Sequence, residues 1–330
     1  MTIKFAFLLA REFTLSPLSL FIDTLRLAGD DGDRSRRVAF DWQIVGERGL
    51  PLRSSCGIEI LPTCDVGNPE SYDHIVVVGG LLKATHELSR EKEEFLLAAA
   101  RLKKPLVGLC TASFALARYG LLDNHSACVS WFHIRDFRAS FPNVDARADS
   151  LYLIDRSRAT CAGGTGAADL AGQLVKKYLN DVSAQKAANV LMLDRIRSVR
   201  DPQPISDMFP GATSSLVKRA LLLMESNLHE SLSIAEIASQ LQISNRQLER
   251  RFALELGMGP ADAYGAVRIN FARKLLADES LQIAEVAFRS GFISASHFSR
   301  VFRQHTGVSP SELRTRMRPD RDANPTKASL

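Results

Sequence analysis

The spacing of apolar positions changes about two-thirds of the way along this chain. Up to Arg197, short and continuously apolar runs alternate with amphipathic segments. The runs predict strands at Ile3–Leu9, Val38–Val45, His74–Val78, Leu106–Leu109, Ala127–Ser130, Leu151–Ile154 and Ala159–Cys161. Apolar spacings of three and four predict helices at Pro17–Ala28, Glu87–Arg101, Thr111–Tyr119, Trp131–Ser140, Gly166–Leu179 and Ser183–Arg197. Strand–helix alternation argues for a doubly wound α/β domain, a parallel sheet covered on both faces. Runs such as Ile75-Val-Val-Val78 suit strands buried on both sides. In such sheets the ligand crevice lies beyond the carboxyl ends of the strands, so the residues just after each strand are the ones to inspect.

Beyond Ala212 only the helical spacing persists. Leu216, Val217, Ala220, Leu221, Met224 and Leu228 predict a first helix, and then one pattern occurs twice. Ile234-Ala-Glu-Ile-Ala238 returns as Ile283-Ala-Glu-Val-Ala287, and Gly257…Pro260 returns as Gly307…Pro310. Each copy is a short helix, a turn, a serine at an N-cap position (Ser244, Ser294) and a second helix. The apolar stripe of that second helix is Leu248, Phe252 and Leu256 in one copy and Phe298, Val301 and Phe302 in the other. Ser233-x-x-Glu236 and Ser244-x-x-Gln247 read as capping boxes. Gly291 in the second turn corresponds to Gln242 in the first, where a positive φ costs about 1 kcal/mol; the first copy also has one residue fewer between its helices. A helix from Ala261 to Ala277, with Tyr264, Val267, Phe271, Ala272, Leu275 and Leu276 on one side, joins the copies and spans about 26 Å.

The outward faces of the two second helices carry Asn245, Arg246, Glu249 and Arg250, then Ala295, Ser296, Ser299, Arg300 and Arg303. Arg forks onto guanine or phosphate, Asn reads adenine, and Ala or Ser approaches a thymine methyl or the backbone. The linking helix and its flanks suit two recognition helices about 34 Å apart, one turn of duplex. Residues 212–314 resemble the DNA-binding domain of the AraC/XylS family of bacterial transcription regulators. The competing account is a helical bundle whose basic residues are merely solvated.

Composition adds limits. A chain of 330 residues, 45% hydrophobic and 24% charged, predicts two ordinary globular domains. Over 212–330 there are 16 Lys and Arg against 12 Asp and Glu, so +4 of the total +5 falls on the DNA-binding part. Five cysteines without a C-x-x-C pair or a Cys/His array point to reduced thiols, with no metal and no cofactor expected. The apolar start, Ile3–Ala10, meets Arg11-Glu12 too soon for a signal peptide or a membrane span. Residues 1–199 are thus expected to form the first domain, 200–211, with three prolines, a linker, 212–318 the DNA-binding domain, and 319–330 a disordered tail.

Two strand ends carry candidate chemistry. Ile75-Val-Val-Val-Gly-Gly80 ends in a glycine pair, and Leu106-Val-Gly-Leu-Cys110-Thr-Ala-Ser runs from strand straight into helix. A cysteine at such a corner sits at a helix N-terminus, which favours thiolate. Residues 3–180 resemble the class I glutamine amidotransferase-like superfamily in its PfpI-type branch, a flavodoxin-like fold. The resemblance makes Cys110 the match of the nucleophile and Gly79-Gly80 the match of the oxyanion loop. A base is missing: Thr111 and Ser130 stand where related hydrolases carry His, no late His-x-Glu exists, His125 and His133 read as surface or helix-end residues, and Glu12 is an acid of doubtful register. Gly163-Gly-Thr-Gly166 lacks the lysine of a phosphate loop and reads as a tight turn.

The expected crevice is therefore a binding site without turnover, lined by Gly80, Cys110, Thr111, Ser130 and Trp131. Backbone donors suit a carboxylate and an aromatic face suits a cation, which points to amino acids or quaternary-ammonium metabolites. Relatives joining these two domains include sensors of arginine, betaine and carnitine, as the resemblance implies. Plain readings stand beside these: Trp131 as core packing and Cys110 as an inert thiol. The helix at Ser183–Arg197 suits a dimer seam or packing on its own domain. The resulting expectation is a cytoplasmic, homodimeric, effector-responsive regulator, an activator acting with RNA polymerase on promoter DNA. The alternatives are a Cys-dependent amidase with an appended DNA-binding domain and a structural DNA-binding protein.

Overall fold

The computed structural model describes residues 2–30, 34–82, 88–204, 208–228 and 231–317. The expected tail, 319–330, and the first residue of the expected helix at 87–101 lie outside these ranges. Two compact units divide after Gln203.

In the first unit, β1 (Ile3–Leu9), β2 (Phe40–Val45), β5 (His74–Val78), β6 (Leu106–Leu109), β9 (Tyr152–Asp155) and β10 (Arg158–Cys161) form one sheet in the order β2, β1, β5, β6, β10, β9. Neighbours are parallel except at the β9–β10 edge, which is antiparallel. The expectation of a uniformly parallel sheet is corrected there. Only Arg156 and Ser157 separate the two strands, too few for a crossover, and Arg156 takes φ +55 to make the hairpin turn. The strand expected at Ala127–Ser130 is also corrected. It is β7 (Ser126–Cys128), which pairs with β8 (Asp145–Arg147) in a separate ladder. A third small ladder, β3 (Leu52–Arg53) with β4 (Glu59–Ile60), is too short to leave a period in the sequence.

Although every residue of β5 is buried, alternate side chains enter different cores. Phe5, Phe7, Val76, Val78 and Val107 pack with α1 (Leu15–Gly29), α5 (Gly166–Tyr178) and α6 (Asp181–Val190). Ala6, Leu8, Ile75, Val77 and Leu106 pack with α2 (Arg90–Arg101), α3 (Ala112–Arg118) and α4 (Ile134–Ser140). The helix expected at Ser183–Arg197 stops at Val190. Met192 turns into the left-handed region at φ +55, and Ile196 returns to the core against Gly172, where a Cβ would lie 2.7 Å from it. Ala184, Ala187 and Ala188 of α6 are buried in the domain's own core.

The second unit contains α7 (Ser215–Ser226), α8 (Ile234–Gln240), α9 (Asn245–Leu256), α10 (Pro260–Leu276), α11 (Ile283–Arg289), α12 (Ala295–Thr306) and α13 (Pro310–Met317). Its apolar residues fall into two cores threaded by α10. Ala263, Tyr264 and Val267 join the core of α7–α9, while Ile269, Ala272 and Leu276 join that of α11 and α12. The single apolar side expected for this helix is corrected accordingly: its buried stripe turns with the chain to serve both cores. Gln203, within the proline-rich stretch, is buried in the first unit, and Phe209 is buried in the second.

Both interhelical turns take the left-handed conformation, Gln242 at φ +60 and Gly291 at φ +80. A Cβ on Gly291 would meet the Leu228 carbonyl oxygen at 2.0 Å. Gly291→Ala is therefore expected to cost more than about 2 kcal/mol. Gln242→Gly should change stability by less than about 0.5 kcal/mol, because relieved strain offsets added chain entropy. Thermal unfolding of both variants checks the contrast.

His74 lies buried at the amino end of β5, stacked on Phe5 with Nε2 2.7 Å from the Tyr178 hydroxyl oxygen. Burial, with the nearby Lys177 charge, lowers its pKa to about 4. The folded state thus binds fewer protons than the unfolded state between that value and about 6.5. Stability from this group is complete above pH 6.5 and falls by up to about 3 kcal/mol as pH drops to 4. His74→Gln should flatten this part of a stability–pH profile measured by denaturant unfolding.

Candidate functional site

The second helices of the two repeats are held at both ends by their own sequence. Ser244 and Ser294 accept hydrogen bonds from the Gln247 and His297 backbone N–H groups, and Gln247 completes a capping box at the first. Gly257 and Gly307 end the helices at φ +67 and +78. Leu248 and Phe252, then Phe298 and Phe302, bury the inner faces. Asn245, Arg246, Glu249, Arg250, Ala295, Ser296, Arg300 and Arg303 are exposed, and Ser299 is half-buried. Among the described residues, no ion pair holds Arg246, Arg250, Arg300 or Arg303. An uncapped guanidinium row of this kind on a rigid helix is suited to phosphate and base edges.

In the first unit Cys110 occupies the corner between β6 and α3 at φ +60, the strained turn expected of an elbow. Its Sγ lies 3.7 Å from the Thr14 hydroxyl, and a Cβ on Gly163 would come within 3.1 Å of it. The expected thiolate is corrected. Burial pushes the Cys110 thiol up, against the opposing hydrogen bonds from Thr14 and Thr111. The glycine pair has a packing reason as well. A Cβ on Gly79 would lie 2.2 Å from the Ala112 nitrogen, and one on Gly80 would lie 1.8 Å from the Glu12 carbonyl oxygen. The Gly79 N–H, expected to face an oxyanion, donates instead to the Leu109 carbonyl at 3.0 Å.

Thr111 is buried, and its hydroxyl donates to the Gly80 carbonyl at 2.8 Å, so these two residues close on each other. Ser130 and Trp131 lie on the turn after β7. Trp131 is 38% exposed, meets Phe132 edge to face, and donates its backbone N–H to the Gln203 Oε1 at 2.8 Å. His133 packs its ring against Phe114 and Phe132, and burial lowers its pKa; His125 is bound to the Asp123 carbonyl. Glu12 takes φ +52 just past β1. It lines a cavity of about 530 Å³ beyond the carboxyl end of that strand. A second cavity of about 340 Å³ lies past β2, and both include Leu52, Ser89 and Lys92.

The chain matches the DJ-1/PfpI family over residues 4–177 and a helix-turn-helix domain over 219–316. It is 34% identical over 310 residues to the HTH-type transcriptional regulator GbdR of Pseudomonas aeruginosa, spanning 93% of this chain and 83% of that protein. It belongs to this family of AraC-type transcriptional regulators. CdhR of Pseudomonas aeruginosa is 29% identical over 95% of this chain and 92% of its own length. GlxA of Rhizobium meliloti is 27% identical over 95% and 96% respectively. No helix among the described residues is long and apolar enough to cross a membrane.

The regulator fastens the end of its DJ-1/PfpI domain to the elbow through residues that periodicity does not reveal. Arg197 forks onto the buried Asp169 at 2.6 and 3.0 Å and also donates to the Thr165 hydroxyl at 2.6 Å. Thr165 ends the Gly163-Gly164 turn that packs on Cys110. Gln203 donates to the Val129 and Ser150 carbonyls at 2.9 and 2.8 Å while accepting from Trp131. Burial raises the Asp169 pKa in spite of Arg197, so the pair's desolvation outweighs its attraction. Removing the cation alone leaves a buried, unpaired carboxylate. Arg197→Ala is therefore expected to destabilise the domain by about 3 kcal/mol, read by thermal unfolding.

Proposed function

We propose that this transcriptional regulator reads two successive major grooves of promoter DNA and responds to a small metabolite held without turnover in its DJ-1/PfpI domain. The observation that carries the DNA reading is the pair of capped helices whose outward Arg246, Arg250, Arg300 and Arg303 are exposed and, among the described residues, held in no ion pair. Asn245 and Ser296, near the helix starts, reach base edges; Arg246, Arg250, Arg300 and Arg303 take guanine or phosphate, with Glu249, Ala295 and Ser299 completing the surface.

The effector part rests on connectivity. Support comes from Thr111, which bonds to Gly80 beside Cys110, and from Trp131, which is tied to Gln203 at the end of the domain; Gly80, Cys110, Thr111, Ser130 and Trp131 are the residues we assign to the effector. Glu12 packs on Gly80, Thr111 bonds to Gly80, Gly163 packs on Cys110, and Arg197 and Gln203 hold the two following turns. Occupancy of the strand-end crevice is transmitted along these contacts. A catalytic role for Cys110 loses support because its thiol is raised by burial and its side-chain partner is a hydroxyl, which cannot act as a base at neutral pH. The regulator works in the cytoplasm as a homodimer that activates transcription with RNA polymerase.

Titration of promoter DNA over a range of salt concentrations tests the DNA assignment. Arg250→Ala should weaken specific binding by about 1–3 kcal/mol if Arg250 reads a base. If it holds phosphate, the loss should be uniform across sequences and the salt slope should fall by about 1. Unchanged binding to every DNA would remove Arg250 from the interface.

A further inference from the structure

We propose that Ile293 is a base-reading residue, whose side chain enters the major groove ahead of α12 and packs on the 5-methyl group of a thymine. The inference rests on the reading of α9 and α12 as DNA-contacting helices. It adds a residue outside both helices and names the chemical feature of the duplex that this residue selects.

Ile293 is the extra residue of the second repeat. Six residues separate Ala287 from Ser294, whereas five separate Ala238 from Ser244. Backbone hydrogen bonds identify the one that is added. In the first turn Gln242 donates to the Ser239 carbonyl at 2.9 Å and Ile243 to the Ala238 carbonyl at 3.0 Å; in the second, Gly291 donates to Phe288 at 2.9 Å and Phe292 to Ala287 at 3.0 Å. Gln242 therefore corresponds to Gly291, and Ile243 to Phe292. Ile243 is followed at once by the N-cap Ser244, while Ile293 stands between Phe292 and the N-cap Ser294.

The core makes no use of this residue. An apolar side chain just before an N-cap commonly packs on the fourth residue of its helix. For α12 that residue is Phe298, and Phe292 already covers it, with ring centroids 5.2 Å apart. Phe292 is accordingly 5% exposed and Ile293 102%.

Isolated exposed aliphatic side chains are common on protein surfaces; what distinguishes Ile293 is its surroundings. Ala295 and Ser296, the exposed residues that start α12, are too short to cover it, whereas α9 starts with Asn245 and Arg246. Farther along, α12 carries Arg300, Arg303 and His305 and no carboxylate, so this flank attracts a polyanion and repels a basic protein surface. The apolar group that a duplex displays in its major groove is the thymine 5-methyl. The first repeat has no counterpart to this reader, because Ile243 is partly buried against its own core. Dependence on a methyl group through this residue should therefore be confined to one of the two grooves.

The test uses the full-length protein and a promoter fragment that it binds selectively, with each thymine of the two protected segments replaced singly by uracil, which removes only the 5-methyl group. Binding followed by fluorescence anisotropy should weaken about fourfold at one position, in one segment alone, as expected for the loss of one buried methyl. Ile293→Ser should bind the natural fragment at least fourfold more weakly, keep the parent Tm, and no longer distinguish thymine from uracil at that position. Ile293→Val should retain most of the discrimination. The proposal is overturned if Ile293→Ser binds as the parent does, or if both proteins respond equally to every uracil. A variant that binds DNA as the parent does but no longer supports transcription by added RNA polymerase would place Ile293 against the polymerase, and this also overturns the proposal. In each of these cases selective binding by the parent, with its dependence on Arg250, leaves the DNA reading standing. Unselective binding by the parent itself overturns both.

Discussion

Burial of the central strands on both faces is the constraint on which the first domain depends. With β1, β5 and β6 covered by α1, α5 and α6 on one side and by α2, α3 and α4 on the other, the side chains of β5 and β6, and those of β1 from Phe5 onward, are buried. Polar groups and space remain where the strands end. The left-handed turn at Glu12, the glycine pair at 79–80, the elbow at Cys110 and the glycine turn at 163–164 all lie there. Each is a place where backbone approaches backbone closely. Thr111 closes on Gly80, and Thr14 faces Cys110.

A different constraint organises the second domain. Two short helical units cannot each bury an apolar face alone, and α10 supplies the missing wall to both by turning its stripe from Ala263–Val267 to Ile269–Leu276. One continuous helix thereby joins the cores that support the second helices of the two repeats. The asymmetry between the turns follows from packing. Gly291 sits against the Leu228 carbonyl and must lack a side chain, whereas Gln242 takes the left-handed conformation as an exposed residue.

The doubled motif was legible because its signals are local: capping pairs, apolar spacing and terminal glycines are written within a dozen residues. The strands were legible where burial is continuous and lost where pairing is short, as at β3, β4 and β8; at β9 and β10 the strands were legible, but their antiparallel pairing was not. Cys110 was located by its strand-to-helix context, but its protonation depends on its burial in the fold and on the opposing hydrogen bond with Thr14, a residue distant in sequence. Lys92 reads in sequence as the polar side of an amphipathic helix, and only the fold shows that the ammonium is inside. Arg197 and Gln203 carry no periodic signal at all, because their partners lie across the domain.

The central claim is that two rigid recognition helices address one face of DNA in a sequence-selective way. It is tested most directly by capturing fragmented genomic DNA with the purified full-length protein, washing at increasing salt and footprinting what remains. The account predicts retention of a few promoter fragments, each with two protected major-groove segments one helical turn apart per protomer. Uniform recovery of all fragments, or a single protected segment per protomer, would contradict it.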